Sequence, residues 1–129
     1  MKENKSNYQE WLEKAEEDGI AGEELLEGAR VFGPACFHFQ QMAEKYLKAL
    51  LINSDNNFPK THDLIALAAL IEDNFPEIKE HREDFELLNS YYIETRYPGD
   101  FPEFNLKETQ EAREAAYTIK EFVLGKIKK

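Results

Sequence analysis

The sequence predicts an all-α fold, an up-and-down antiparallel bundle of about five helices in a single domain spanning residues 1–129. Three observations lead there. Apolar residues recur at steps of three and four along most of the chain, the period of a helix rather than of a strand. Turn formers cut the chain into helix-sized segments at Gly33-Pro34, Asn53 to Asn57, Asn74-Phe75-Pro76 and Pro98-Gly99. The segment Phe37 to Leu51 is apolar at Phe39, Met42, Ala43, Tyr46, Leu47, Ala49, Leu50 and Leu51, too wide an arc for a surface helix, and it reads as the central helix of the bundle.

Each element has its own signals. Ser6 with Gln9 three residues on reads as a capping box that opens the first helix. Tyr8, Trp11, Leu12, Ala15, Gly22, Leu25, Leu26 and Ala29 then keep helical spacing to about Phe32. Gly19, Gly22 and Gly28 each cost up to about 1 kcal/mol relative to alanine in a helix, so close packing or a bend is expected to compensate. Asp18 reads either as a solvated residue or as a polar contact facing the bundle. Gly33-Pro34 supplies a helix exit and a first turn, predicting a tight hairpin between the first two helices.

The central helix runs out in Asn53-Ser54-Asp55-Asn56-Asn57. Thr61 is the expected N-cap of a short third helix striped by Leu64, Leu67, Ala68 and Ile71. Pro76 suits the first turn of a fourth helix, in which Ile78, Phe85, Leu88 and Tyr92 align with Tyr91 near the same face; His81 falls on that row, as a ligand or as a hydrogen-bonded, partly buried side chain. The stretch Asp100 to Phe104, with Pro102 among aromatics, reads as an ordered loop. Asn105 with Glu108 opens the last helix, whose stripe is Ala112, Ala116, Ile119, Val123 and Ile127, and Lys126, Lys128 and Lys129 suit the negative end of its dipole.

Composition narrows the function. Sixteen basic against twenty-six acidic residues give a formal charge of −10, which opposes unspecific attraction to nucleic acid or anionic membrane. Cys36 is the one cysteine, so no internal disulfide and no cysteine-based zinc site are expected, and a reducing cytoplasm fits. The N-terminus lacks the apolar core of a signal peptide, and no run is long enough to cross a bilayer, so no membrane contact is expected. No Walker or Rossmann glycine loop and no G-x-S-x-G elbow is present. A ferritin-like metal site needs Glu three residues before His, but Ala35, Pro59 and Ile78 stand before His38, His62 and His81. No metal and no cofactor are expected.

Three polar clusters remain. His38, Gln41, Lys45 and Lys48 rise along one ridge of the central helix and offer an imidazole, an amide and two ammonium groups to a phosphate or a base, or else form an ordinary wet face. Lys60-Thr61-His62-Asp63 places a cation beside a helix N-terminus, which suits an anion or is simply a capped start. Thr95-Arg96-Tyr97-Pro98-Gly99 holds a guanidinium and an aromatic ring at a helix exit, suited to phosphate and base, unless Arg96 pairs with an acidic neighbour while Tyr97 packs.

Trp11 to Leu26, the run Phe37-His38-Phe39-Gln40-Gln41 through Glu44-Lys45 to Lys48-Ala49-Leu50, then Lys60-Thr61-His62-Asp63-Leu64 and Arg96-Tyr97-Pro98 together resemble the HEPN domain family over nearly the whole chain. The resemblance implies an up-and-down helical bundle, usually dimeric and similar to the helical domain of kanamycin nucleotidyltransferase. It also implies a gene neighbour, since such prokaryotic proteins are commonly encoded beside a minimal nucleotidyltransferase, in pairs thought to bind nucleotides or to act as toxin and antitoxin. Many members of the wider family are metal-independent ribonucleases with a catalytic Arg followed by four to six residues and then His. This sequence departs from that pattern: after Arg96 the matching positions are Phe101, Pro102 and Glu103, and after Arg30 they are Ala35, Cys36 and Phe37, with His38 one place too far.

The leading functional reading is a helical module that binds nucleotide such as ATP, or a substrate, beside a separately encoded minimal nucleotidyltransferase. His38, Gln41, Lys45, Lys60, His62, Arg96 and Tyr97 are its candidate site residues, and a homodimer is its expected form. One rival is a metal-independent ribonuclease toxin acting on RNA through a composite of Arg96 with His38 or His62 across a dimer. Another is a structural dimer without a ligand.

Overall fold

The computed structural model describes residues 7–92 and 104–128, and Ser6, Arg96, Tyr97, all of the expected loop but Phe104, and Lys129 lie outside them. The described residues form five α-helices and no strand: α1 (Tyr8–Glu23), α2 (Phe32–Asn53), α3 (Leu64–Glu72), α4 (Arg82–Asn89) and α5 (Leu106–Lys126). The fold is all-α, as the periodicity predicts.

Side-chain pairings give the helix directions. Gly22 faces Phe39, Gly19 faces Met42 and Glu16 meets Tyr46, so α1 descends as α2 rises. Cys36 meets Thr109 near the start of both helices and Asn53 meets Lys128 near the end of both, so α5 runs parallel to α2. Tyr91 meets Phe104 and His81 meets Phe122, which makes α4 antiparallel to α5. The central helix α2 is the axis of this arrangement. Phe39, Ala43, Leu47, Ala49, Leu50 and Leu51 are fully buried, and Met42 and Tyr46 nearly so. Each large side chain among them contributes roughly 1.5–3 kcal/mol by leaving water. Leu67, Ile71, Ile78, Phe85, Leu88, Ala116, Ile119 and Val123 complete the core from the other helices.

Several boundaries differ from the sequence expectation, each for a local reason. The first described helix starts at Tyr8 with Asn7 as N-cap, whose side chain makes no capping bond. Its last turn widens into a π-helix over Glu24–Ala29, and the exit is Arg30 in the left-handed region (φ 56°), not Gly33. The Val31 amide bonds back to the Leu25 carbonyl at 2.8 Å, a closure one residue wider than a Schellman end because it follows a π-helical turn. Gly33 and Pro34 both sit inside the first turn of α2. Asp63, not Thr61, caps α3 by accepting from the Ile65 amide, while Thr61 Oγ1 accepts from the Asp63 amide. Pro76 opens a 3₁₀ turn over Pro76–His81, and α4 itself begins only at Arg82. The capping box at Asn105 and Glu108 forms as expected, with both reciprocal bonds present.

The glycines of α1 are close-approach positions. A Cβ on Gly22 would lie 2.8 Å from the Phe39 ring, and one on Gly19 would lie 3.2 Å from Met42 Sδ. This intimacy lets α1 carry polar side chains up to the flank of α2.

Candidate functional site

On α2 the wide apolar arc is interrupted by three polar side chains. At about 100° per residue, Gln40 falls between Leu47 and Leu51, about 20° from each, and Glu44 and Lys48 follow it around the helix. Gln40 is fully buried, Glu44 is 2% exposed and Lys48 7% exposed. A charge so deep is costly unless paired, and here both are. Lys48 Nζ donates to Glu44 Oε2 at 2.8 Å. The ammonium also lies 5.5 Å and 5.3 Å from the ring centres of Trp11 and Phe58, which meet edge to face.

The rest of the Glu44 carboxylate gathers the start of α3. His62 Nδ1 stands 3.1 Å and 3.2 Å from its two oxygens, and Gln41 Nε2 donates to Oε1 at 3.2 Å. Gln40 Nε2 donates to the His62 backbone carbonyl at 3.2 Å, so ring and backbone of His62 are both tied to α2. An ionised carboxylate only accepts, which puts the His62 proton on Nδ1 and leaves Nε2 directed elsewhere. The ring also stacks on Tyr92, with centroids 4.2 Å apart and planes 16° apart. Tyr92 in turn meets Phe37 at 6.1 Å.

A second carboxylate organises the upper part of the ridge. Asp18, 8% exposed, accepts from His38 Nδ1 at 2.8 Å and from Lys45 Nζ at 2.6 Å. Asp18 is therefore the polar contact facing the bundle and not a solvated residue. The stripe of Ala15, Asp18, Gly19 and Gly22, all buried, carries it there. Of the ridge, Lys48 is interior, and His38, Gln41 and Lys45 are half-buried and bonded inward, so a wet face is excluded. No buried side-chain polar atom among the described residues lacks a partner.

Beside the Glu44 network a cleft of about 830 Å³ opens, lined by Lys48, Lys60, Thr61, His62, Asp63, Asn89 and Tyr92. The structure thus brings together the second polar cluster and the lower end of the first. His38, Gln41 and Lys45 support or flank the cleft without lining it, and Arg96 and Tyr97 lie outside the described residues. The backbone amides at the start of α3 are not open to a ligand. Asp63 N–H goes to Thr61, Leu64 N–H to Asn89 Oδ1 at 2.9 Å and Ile65 N–H to Asp63. Lys48 is committed to Glu44, which leaves Lys60 as the lining cation without an acidic partner among the described residues.

Sequence reasoning assigned no site role to Asp18, Gln40, Glu44, Asn89, Trp11 or Phe58. The signal for Gln40 was its place in the middle of an apolar arc, and for Asp18 its place on the glycine stripe. Elsewhere the chemistry is quiet. Cys36 is buried, its thiol donates to Thr109 Oγ1 at 3.5 Å, and burial pushes its pKa up, away from thiolate reactivity. Among the described residues no group of three or more His, Cys, Asp and Glu side chains converges as metal ligands, and no helix is long and apolar enough to cross a membrane.

Comparison with known proteins defines the class to which this bundle belongs. The HEPN domain model matches residues 8–128, and the chain belongs to that family. It is similar to the solved structure of TT1696 from Thermus thermophilus, at 30% identity and a TM-score of 0.77, over 92% of this chain and 97% of that one. It also shares its fold with ST0689, an archaeal HEPN homologue, at 24% identity and a TM-score of 0.74, over 94% of this chain and 98% of the other. No curated protein matches the chain.

Proposed function

We propose that this HEPN chain is a helical nucleotide-binding module that works with a separately encoded minimal nucleotidyltransferase, as a homodimer in the cytoplasm and as one half of a toxin–antitoxin pair. The observation that carries the reading is the cleft, where an aromatic stack and the Lys60 ammonium border one open space. Rings suit a base and Lys60 suits a phosphate. His38, Gln41 and Lys45 hold the adjoining wall, and Arg96 and Tyr97, outside the described residues, are the sequence's further candidates for a guanidinium and a ring.

Charge explains why a partner belongs in this reading. The described lining carries Lys48 and Lys60 against Asp63, with Glu44 directly behind, so its formal charges cancel. A balanced cleft on a chain of net charge −10 holds a triphosphate weakly by itself. A second protein supplying cations completes the site.

Calorimetric titration with ATP and with a short RNA, on the native protein and on Lys60→Ala, tests the proposal. We expect ATP binding, weakened roughly tenfold by loss of one charged hydrogen bond, and intact RNA. Cleavage of the RNA that persists in chelator would replace this reading with the ribonuclease one. Absence of ATP binding both alone and with the neighbouring nucleotidyltransferase would leave a structural dimer.

A further inference from the structure

We propose that His62 is a stacking platform for a nucleobase, and that this chain's own cleft takes a nucleoside carrying one phosphate, with the base on His62 and the phosphate on Lys60. The inference rests on the nucleotide reading above and states which end of the nucleotide the chain holds.

His62 is held at three points, two on its ring and one on its backbone. Glu44 holds its Nδ1 edge, Tyr92 covers one face, and Gln40 holds its backbone carbonyl. Its side chain nevertheless stays 46% exposed. Among the described residues it is the end member of a row of rings, Phe37, Tyr92 and His62, and it borders the open cleft. A ring that is exposed and already immobile loses little conformational freedom when a ligand lands on it. A planar base extends the row by one member, and its π-face is the feature such a surface recognises. The cleft volume of about 830 Å³ is ample for a mononucleotide.

The other groups in the cleft define what else is recognised. Asn89 is the one side-chain amide in the described lining, and both its arms are engaged, Oδ1 by the Leu64 amide and Nδ2 by Asp63. It is therefore a poor reader of base edges, and adenine and guanine should bind alike. Purines should exceed pyrimidines because they offer more stacking area. Lys60 is one ammonium with no acidic partner among the described residues, matched to one phosphate. Further phosphates find no second unpaired cation in the described lining and remain available to the partner's transfer chemistry.

Competition calorimetry on the full-length protein tests the assignment with adenosine monophosphate, ATP and inorganic tripolyphosphate as probes, repeated on His62→Ala and His62→Phe. We expect adenosine monophosphate and ATP to bind within about threefold of each other, and tripolyphosphate not to compete. His62→Ala should weaken both nucleotides roughly tenfold, whereas His62→Phe, which keeps a ring but loses the bond to Glu44, should bind nearly as well as the native protein. Tripolyphosphate competing as well as ATP, or His62→Phe binding as poorly as His62→Ala, would overturn the platform and leave the nucleotide module standing. No binding of either nucleotide by the protein alone would overturn the platform, and no binding with the nucleotidyltransferase present would remove both readings. A His62→Ala protein that fails to fold leaves the phenylalanine variant and the tripolyphosphate competition to decide.

Discussion

Glu44 is the residue on which the site depends. Four donors converge on one carboxylate that is almost wholly buried: Lys48, His62, Gln40 and Gln41. Replacing Glu44 by glutamine keeps the volume but leaves the Lys48 ammonium in the interior without a counter-charge. Breaking a buried pair in this way costs about 3–5 kcal/mol. The two rings beside Lys48 offset part of that, and we expect a loss of about 3 kcal/mol in urea denaturation. Glu44→Gln should also loosen His62, seen as broadening of its ring resonances. Asp18→Asn breaks a pair nearer solvent, where Lys45 and His38 remain half-exposed, and about 1–2 kcal/mol is expected. The role of Glu44 was not legible, since it is one acidic residue among twenty-six and only the fold selects it. Asp18 was readable as a polar contact facing the bundle but not separable from a solvated residue.

At the scale of the element, the approach of α1 to α2 sets the geometry of the site, and the glycines of the helices separate into two kinds. Gly22→Ala drives a methyl group into the Phe39 ring, which is fully buried and has nowhere to turn. Overpacking of this sort costs about 1–3 kcal/mol, more than the gain in helix propensity returns. A methyl group added at Gly125 in α5 would meet nothing within 4 Å, so Gly125→Ala should stabilise by up to about 1 kcal/mol. Thermal denaturation of the two variants, with midpoints moving in opposite directions, checks the pair. The helices themselves were readable, because their stripes at Leu64, Leu67 and Ile71 or Ala112, Ala116 and Ile119 follow one face for several turns. Their ends were less so. A left-handed Arg30 and a cap at Asp63 instead of Thr61 are decided by hydrogen bonds within a few residues, and several residue types satisfy these equally well.

For the molecule as a whole, stability must decline in alkali for a definite reason. Burial first, then neighbouring negative charge, pushes the Tyr91 hydroxyl from its ordinary value near 10 up to about 12. Tyr46 is pushed up as well, by burial and by its bond to Glu16. A raised acid favours its neutral form in the folded state. The stability it contributes is complete below pH 10 and is lost as the pH climbs through about 12. Unfolding measured from pH 9 to about pH 12 should show this decline, and Tyr91→Phe should make it shallower, with Tyr46 keeping the remainder, while leaving neutral stability nearly unchanged. The likeness of the chain to its family was visible in the order of its motifs, whereas the meeting of His62 with α2 was not. That meeting joins segments eighteen residues apart through a connection that carries no periodic signal.

The ring contacts of Lys48 give the protein a built-in optical reporter. Trp11 is the only tryptophan in the chain, so its emission arises from one place. That place is an indole whose face lies 5.5 Å from an ammonium group, and the same ammonium belongs to the cleft wall. Indole fluorescence is sensitive to a nearby charge, so anything that draws Lys48 away from Glu44 should shift the intensity or colour of the emission. Events in the cleft can thus be followed in the unlabelled protein, at concentrations too low for calorimetry, by watching a side chain that touches no ligand.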